Sequence, residues 1–281
     1  MRSVAIVGVG LIGGSFALAL RKAGFRGKIA GVSSPPAIEQ ALRLGAIEEG
    51  IDLPQAAAEF DLIFLSQPIL RILGTLDVLD PLLNPGALVT DAGSTKREIV
   101  ARASARLTRS QFLGGHPMAG KETRGVASAD PDLFRGRTWV LTPQAAQELE
   151  TAPAREFTGW IREIGADPVV LAPEDHDRIV AFTSHLPQLL STALAATLAA
   201  VPEATSAAGP AALDLTRLAL SPYDVWSDIF ATNSGPVEEA LRAYIATLDD
   251  LRRELSSPAL RDRFEKAAAA AELLRQSSGR T

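Results

Sequence analysis

Apolar and polar positions in the first part of the chain follow two periods in turn. Short apolar runs at residues 4–7, 28–32, 61–65, 86–90, 138–141 and 169–171 read as strands. Between them apolar residues recur at helical spacing: Ile12, Phe16, Ala19 and Leu20 share one face, as do Ile99, Ala103 and Leu107. Residues 37–44, 69–79 and 145–164 read as further helices, and Gly24 is placed to end the first one. Strands that alternate with helices predict an α/β fold with a doubly wound, parallel, Rossmann-type sheet.

Beyond Pro173 the pattern is helical, without strand alternation. The predicted division is a dinucleotide-binding domain at 1–171 and a helical domain at 172–281. Residues 186–201 carry Leu, Ala and Thr on nearly every face, and a helix apolar all round must be covered on all sides. About 110 residues cannot easily cover it alone, so the expectation is a homodimer whose long helices pack across a symmetry axis.

The first strand runs into Gly8, Gly10 and Gly13, which lead directly into a helix whose first turn holds Leu11 and Ile12. In a dinucleotide cradle the first glycine permits the tight turn, the second lets backbone approach a pyrophosphate and the third lets helix and strand touch. Helix N–H groups then face the phosphates. An ordinary strand-turn-helix corner is the alternative. The second strand ends at Ser33 and Ser34, where NAD-binding folds commonly place a carboxylate for the ribose hydroxyls. With no negative charge there, NADP is an expected cofactor alongside NAD, unless a serine only caps the next helix.

Thr95 and Glu98 form a capping-box pattern that makes Thr95 the N-cap and leaves the Ser94 hydroxyl outside the helix; Ser94 as the cap is the other option. Residues 112–122 set His116 between glycine pairs and Pro117, as in a loop that exposes an imidazole, though a buried, bonded histidine fits too. His176, flanked by Asp175 and Asp177, reads as an exposed helix-start residue.

Composition removes several functions. A net charge of −5 lacks the basic footprint of a nucleic-acid or anionic-membrane partner. No cysteine means no disulfide or thiolate chemistry, and three histidines leave little for a metal, so no metal site is expected. The chain enters a strand at once, without a signal-peptide pattern, and the Ala/Leu-rich stretch 189–201 is too short to span a bilayer. The expected location is cytoplasmic.

The Gly8–Ser15 loop, Asp91–Lys96, the Gly-Gly-His-Pro-Met-Ala-Gly run at 114–120, Ser184-His-Leu-Pro187 and Asp214-Leu-Thr-Arg217 through Trp226 together resemble the prephenate/arogenate dehydrogenase family. The resemblance implies a Rossmann-type domain, a helical dimerisation domain, and NAD(P)-dependent oxidative decarboxylation of a cyclohexadienol to a phenol in tyrosine biosynthesis. It implies His116 as the proton acceptor with Ser94 on the same substrate hydroxyl. Arg217 takes the ring carboxylate, or else a local ion pair with Asp214. His185 lies near the substrate side chain unless it is structural, Glu122 gates the site, and Trp226 packs. Gln188 replaces a second family histidine and Ala212-Leu213 an aromatic and basic pair, which leaves prephenate and arogenate both open. From the length, the expectation is a monofunctional enzyme without a mutase or regulatory domain. A β-hydroxyacid dehydrogenase or imine reductase is the runner-up, opposed by the lack of lysine between Arg124 and Arg263, and a silent dinucleotide sensor is the reading from another class.

Overall fold

The computed structural model describes residues 1–121, 123–201 and 203–277. Its contacts divide the chain into two compact units, Met1–Ser234 and Gly235–Thr281.

The first unit is built on one eight-stranded sheet: β1 (Ser3–Val7), β2 (Lys28–Val32), β3 (Glu49–Gly50), β4 (Leu62–Leu65), β5 (Leu88–Asp91), β6 (Gln111–Pro117), β7 (Thr138–Thr142) and β8 (Asp167–Val170). The order is β3-β2-β1-β4-β5-β6-β7-β8. Neighbours are parallel except β6 and β7. Helices α1 (Leu11–Lys22), α2 (Pro35–Arg43), α3 (Leu53–Glu59), α4 (Ile69–Leu79), α5 (Arg97–Arg106) and α6 (Ala152–Glu163) connect the strands.

Because both sheet faces are covered, the central strands read as apolar runs without alternation. Their side chains still divide by parity. Val4 and Ile6 join Phe16, Phe64, Leu88 and Trp139 in one core, while Ala5 and Val7 join Ile63, Leu65, Val89 and Phe112 in the other. Phe16 stacks on Phe64 with centroids 4.3 Å apart. Strand order reverses between β1 and β4, and ligands in such sheets bind at the carboxyl ends beside that point.

Three local expectations give way to tertiary contacts. The glycine-histidine run is strand, not loop: β6 continues past β5 and pairs antiparallel with β7, with His116 opposite Val140. Gly115 serves packing, since a Cβ there would lie 2.6 Å from the Asp91 carbonyl oxygen. Residues 145–164 do not form one helix. A 3-10 turn at Ala146–Glu150 stops at Thr151, whose hydroxyl accepts from Ala154 N–H and restarts the chain as α6 with a proline in its first turn. The Thr95–Glu98 capping box is absent; α5 starts at Arg97, and Thr95 Oγ1 lies 2.8 Å from Thr232 Oγ1.

The helical region of this unit comprises α7 (Pro173–Val180), a π turn at Ala181–His185, α8 (Leu186–Ala199), α9 (Ala204–Ala207), α10 (Pro210–Thr216), a 3-10 turn at Arg217–Leu220 and the start of α11 (Tyr223–Glu254). The continuous run Pro173–Ala199 has 27 residues and mean hydropathy 1.3. It is thus long enough to cross a bilayer, as the 189–201 stretch alone is not, yet it buries His176, Asp177 and His185 against the protein. Helix α11 breaks at Asn233 (φ −132°, ψ 25°), three residues before Pro236, whose ring opposes a continuous helix and cannot donate to the carbonyl one turn earlier.

The second unit holds the rest of α11 and α12 (Ala259–Ser277). Within it, Arg263 donates to Glu254 at 2.7 Å and to Asp250 at 3.2 Å.

Candidate active site

The β1–α1 turn shows three different demands on its glycines. Gly8 has φ +99°, which L side chains rarely adopt, and a Cβ on Gly13 would lie 2.5 Å from the Gly8 carbonyl oxygen. A Cβ on Gly10 would meet nothing within 4 Å. The protein itself thus makes no demand for glycine at position 10, whereas a ligand approaching the backbone does. Gly10 is also the N-cap of α1 and offers no side-chain bond to the first-turn N–H groups. The residues therefore fit a bound dinucleotide pyrophosphate.

Two cavities open beside this turn. One, of 460 Å³, is walled by Gly8, Gly10, Ser33, Ser34 and Arg71 among others. Ser34 is the N-cap of α2 but its hydroxyl makes no capping bond there. The other, of 480 Å³, is walled by Leu11 and Ile12 at the start of α1 and by Ser94, Lys121, Arg124 and Asp228. Cofactor cradle and Ser94 therefore share one space.

A buried clamp joins the Ser94 loop to the His116 strand. Asp91 and Lys96 are both fully buried and form an ion pair. Asp91 Oδ1 accepts from Gly115 N–H at 3.1 Å, and Lys96 Nζ donates to the Gly115 carbonyl at 2.8 Å. Burial pulls the Lys96 ammonium below its ordinary range while Asp91 and Asp177 oppose that shift. The clamp thus ties both ends of the Ser94 loop to Gly115, the residue before His116.

His116 stands at the head of a hydrogen-bonded chain. Its Nδ1 lies 2.8 Å from Nε2 of His176, and Nδ1 of His176 lies 2.8 Å from Oδ1 of Asp177. The Asp177 carboxylate also accepts the backbone N–H of Lys96 at 2.7 Å and of Arg97 at 3.0 Å. It thereby caps α5 from another element, which is why the local capping box is dispensable. Asn233 Nδ2 donates to the Asp177 carbonyl at 2.8 Å and lies 3.2 Å from Nδ1 of His185. His176 is completely buried, so the expectation of an exposed helix-start residue is wrong: α7 turns it inward toward His116.

All three rings are held toward the neutral form. Burial, followed by His176, Lys96 and His185, lowers His116 well below the usual imidazole range. Burial also lowers His176 against the opposing pull of Asp177, and lowers His185 to about 4. His116 keeps some exposed surface, and its Nε2 makes no hydrogen bond among the described residues.

The remaining predicted residues are more dispersed. His185 is 1% exposed and meets Trp226 edge-on at 6.1 Å. Trp226 stacks on Phe230 and donates to Ser221 Oγ, as a packing residue does. Arg217 begins an exposed 3-10 turn and walls neither cavity. Glu122 lies outside the described residues. Local sequence rules assign no site role to Asp91, Lys96, Asp177 or Asn233. The signal for the first two is the Asp91–Lys96 motif at the end of a predicted strand; Asp177 and Asn233 carry none.

His116 itself walls neither cavity. A glycine cradle at the switch point of a parallel sheet, sharing its cavity with a serine, defines a Rossmann-fold dehydrogenase. Comparison with known proteins narrows this. Residues 16–158 match the family description "Prephenate dehydrogenase, nucleotide-binding domain" and residues 172–269 match "Prephenate dehydrogenase, dimerization domain". Prephenate dehydrogenase of Lactococcus lactis is 32% identical over 95% of this chain and 75% of its own. Cyclohexadienyl dehydrogenase of Zymomonas mobilis is 28% identical over 91% and 89%. Among solved structures, Aquifex aeolicus prephenate dehydrogenase in complex with hydroxyphenyl propionate and NAD+ superposes with TM-score 0.90 at 31% identity, covering 98% of both chains. Synechocystis arogenate dehydrogenase gives 0.83 at 30%, covering 97% and 99%. A 3-hydroxyisobutyrate dehydrogenase from Salmonella typhimurium, at 18% identity and TM-score 0.56, shares the fold alone. The chain belongs to the prephenate dehydrogenase family and is an NAD(P)-dependent dehydrogenase.

Proposed function

We propose that this chain oxidatively decarboxylates prephenate, arogenate or both in tyrosine biosynthesis, with His116 and Ser94 at the reacting hydroxyl. The observation that carries this is the single 480 Å³ cavity walled by both the α1 N-terminus and Ser94. NAD(P), when bound, supplies the hydride acceptor for the carbinol carbon. His116 Nε2 takes the hydroxyl proton as that carbon becomes carbonyl-like, and Ser94 orients the same hydroxyl. The bond to the ring carboxylate then breaks, carbon dioxide leaves, and its electron pair completes the aromatic ring. His116 returns the proton to the phenolate oxygen.

On this reading Arg217 pairs with the ring carboxylate in bidentate fashion, His185 serves the side-chain end of the substrate, and Glu122 gates the site. Ser33, Ser34 and Arg71 share a cavity and could receive a 2′-phosphate, which favours acceptance of NADP. The same reading makes residues 1–171 the dinucleotide-binding domain and 172–281 the helical substrate and dimerisation domain of a cytoplasmic homodimer, with no nucleic-acid or membrane partner.

The test is reduced-nicotinamide absorbance with prephenate or arogenate, each with NAD or NADP. Turnover in at least one combination is expected, with NADP accepted. No turnover in any, with cofactor shown to bind, overturns the proposal.

A further inference from the structure

We propose that His176 and Asp177 act as positioning residues that hold His116 in the tautomer with hydrogen on Nδ1, leaving the lone pair on Nε2. The inference rests on the reading of His116 as the base, and it follows from counting donors and acceptors along one buried chain. Asp177 receives the two backbone N–H groups at the start of α5 on its two oxygens, and as a carboxylate it has only acceptors to offer. Nδ1 of His176, 2.8 Å from Oδ1, must therefore carry the hydrogen. A neutral His176 then has its lone pair on Nε2, and its partner among the described residues is Nδ1 of His116 at 2.8 Å. That atom must be the donor.

Each step removes a choice from the next, so a carboxylate two residues away in the bonded chain sets which nitrogen of His116 is basic. The opposite arrangement would put hydrogen on His116 Nε2, where it could accept nothing from a substrate. Burial of His176, at 0% exposure, argues against a charged ring there that would reverse the direction of the chain. After His116 takes a proton at Nε2, its Nδ1–H bond to His176 persists, so protonation demands no rearrangement of the chain.

The chain's three histidines make this directly measurable in the full-length protein. With ¹⁵N-labelled histidine, long-range ¹H–¹⁵N correlation spectra at neutral pH separate Nδ1–H from Nε2–H rings. His176→Gln and His185→Gln spectra supply the assignments. Wild-type protein should show both His116 and His176 as neutral Nδ1–H tautomers. In His176→Gln the amide oxygen replaces the ring nitrogen as acceptor, so His116 keeps its tautomer and kcat stays within a fewfold of wild type. His176→Leu removes the acceptor; His116 becomes a mixture of tautomers and kcat falls about tenfold or more, with cofactor KM unchanged.

A His116 found as the Nε2–H tautomer or as the imidazolium in wild-type protein overturns the inference, as does an unchanged His116 tautomer in His176→Leu. The wild-type spectrum decides even if His176→Leu fails to fold. If the tautomers are as stated but neither prephenate nor arogenate turns over, the functional reading fails and the tautomer assignment stands.

Discussion

His116 becomes useful through what surrounds it. An unperturbed imidazole is half protonated near pH 6.5, whereas burial and the neighbouring His176 and Lys96 hold His116 well below that value. A general base must be unprotonated. The kcat/KM profile is therefore expected to stay flat from neutral pH down past 6.5 and to fall only at lower pH. His116→Asn should lower kcat by about a hundredfold or more in the absorbance assay. Activity near wild type in that variant would remove His116 from the role. Arg217 illustrates the opposite situation: its residue type and motif were plain in the chain, but its exposed turn does not by itself bring it to the Ser94 cavity.

At the scale of elements, the β1–α1 turn separates folding from binding within three residues. Gly13→Ala would press a methyl group onto the Gly8 carbonyl and Ser66 Oγ, both 2.5 Å from the ideal Cβ position. Overpacking of that kind costs about 1–3 kcal/mol, read as a lowered urea midpoint. Gly10→Ala meets no protein atom, so stability should move by less than about 0.5 kcal/mol. Its cofactor KM should instead rise by about tenfold or more, because the methyl group occupies the space reserved for the pyrophosphate. Equal effects of the two substitutions on stability would contradict this division. Helix α5 shows the same dependence between elements: its first N–H groups are satisfied by Asp177 of α7, so the dinucleotide fold and the helical region share one cap.

At the scale of the whole molecule, exposed apolar side chains gather in the helical part. Leu213 and Leu215 are each 63% exposed, Leu220 84% and Phe264 68%. Such surface is normally covered, and the chain carries the family's dimerisation domain. Light scattering at micromolar concentration should give twice the chain mass; a monomer would refute the homodimer. Acid stability reflects the buried histidines. His185 titrates at about 4 when folded and at 6.5 when unfolded, so between these values only the unfolded chain binds the proton. Stability therefore falls as pH drops through that window, by about 1.4 kcal/mol per pH unit from this ring. His116 and His176 are shifted in the same direction and act with the same sign. Urea midpoints at fixed protein concentration should decline from pH 6.5 towards 4, less steeply in His185→Gln. A midpoint independent of pH there would mean that these rings are not held neutral.

The chain by itself determined whatever depends on short-range order: the strand and helix alternation, the glycine cradle, the presence of Ser94 and His116 at a sheet edge, and the family motifs. Those features are carried by neighbouring residues, whose periodicity and turn chemistry act over a few positions. Only the tertiary structure decided that residues 111–117 are strand, because that follows from pairing with β7, and that α5 is capped by Asp177, some 80 residues away. His176 shows the reason most plainly. Two flanking aspartates mark it as a surface residue to any local rule, while the helix that carries it packs so that the ring and the Asp177 carboxylate both turn inward and the ring meets His116.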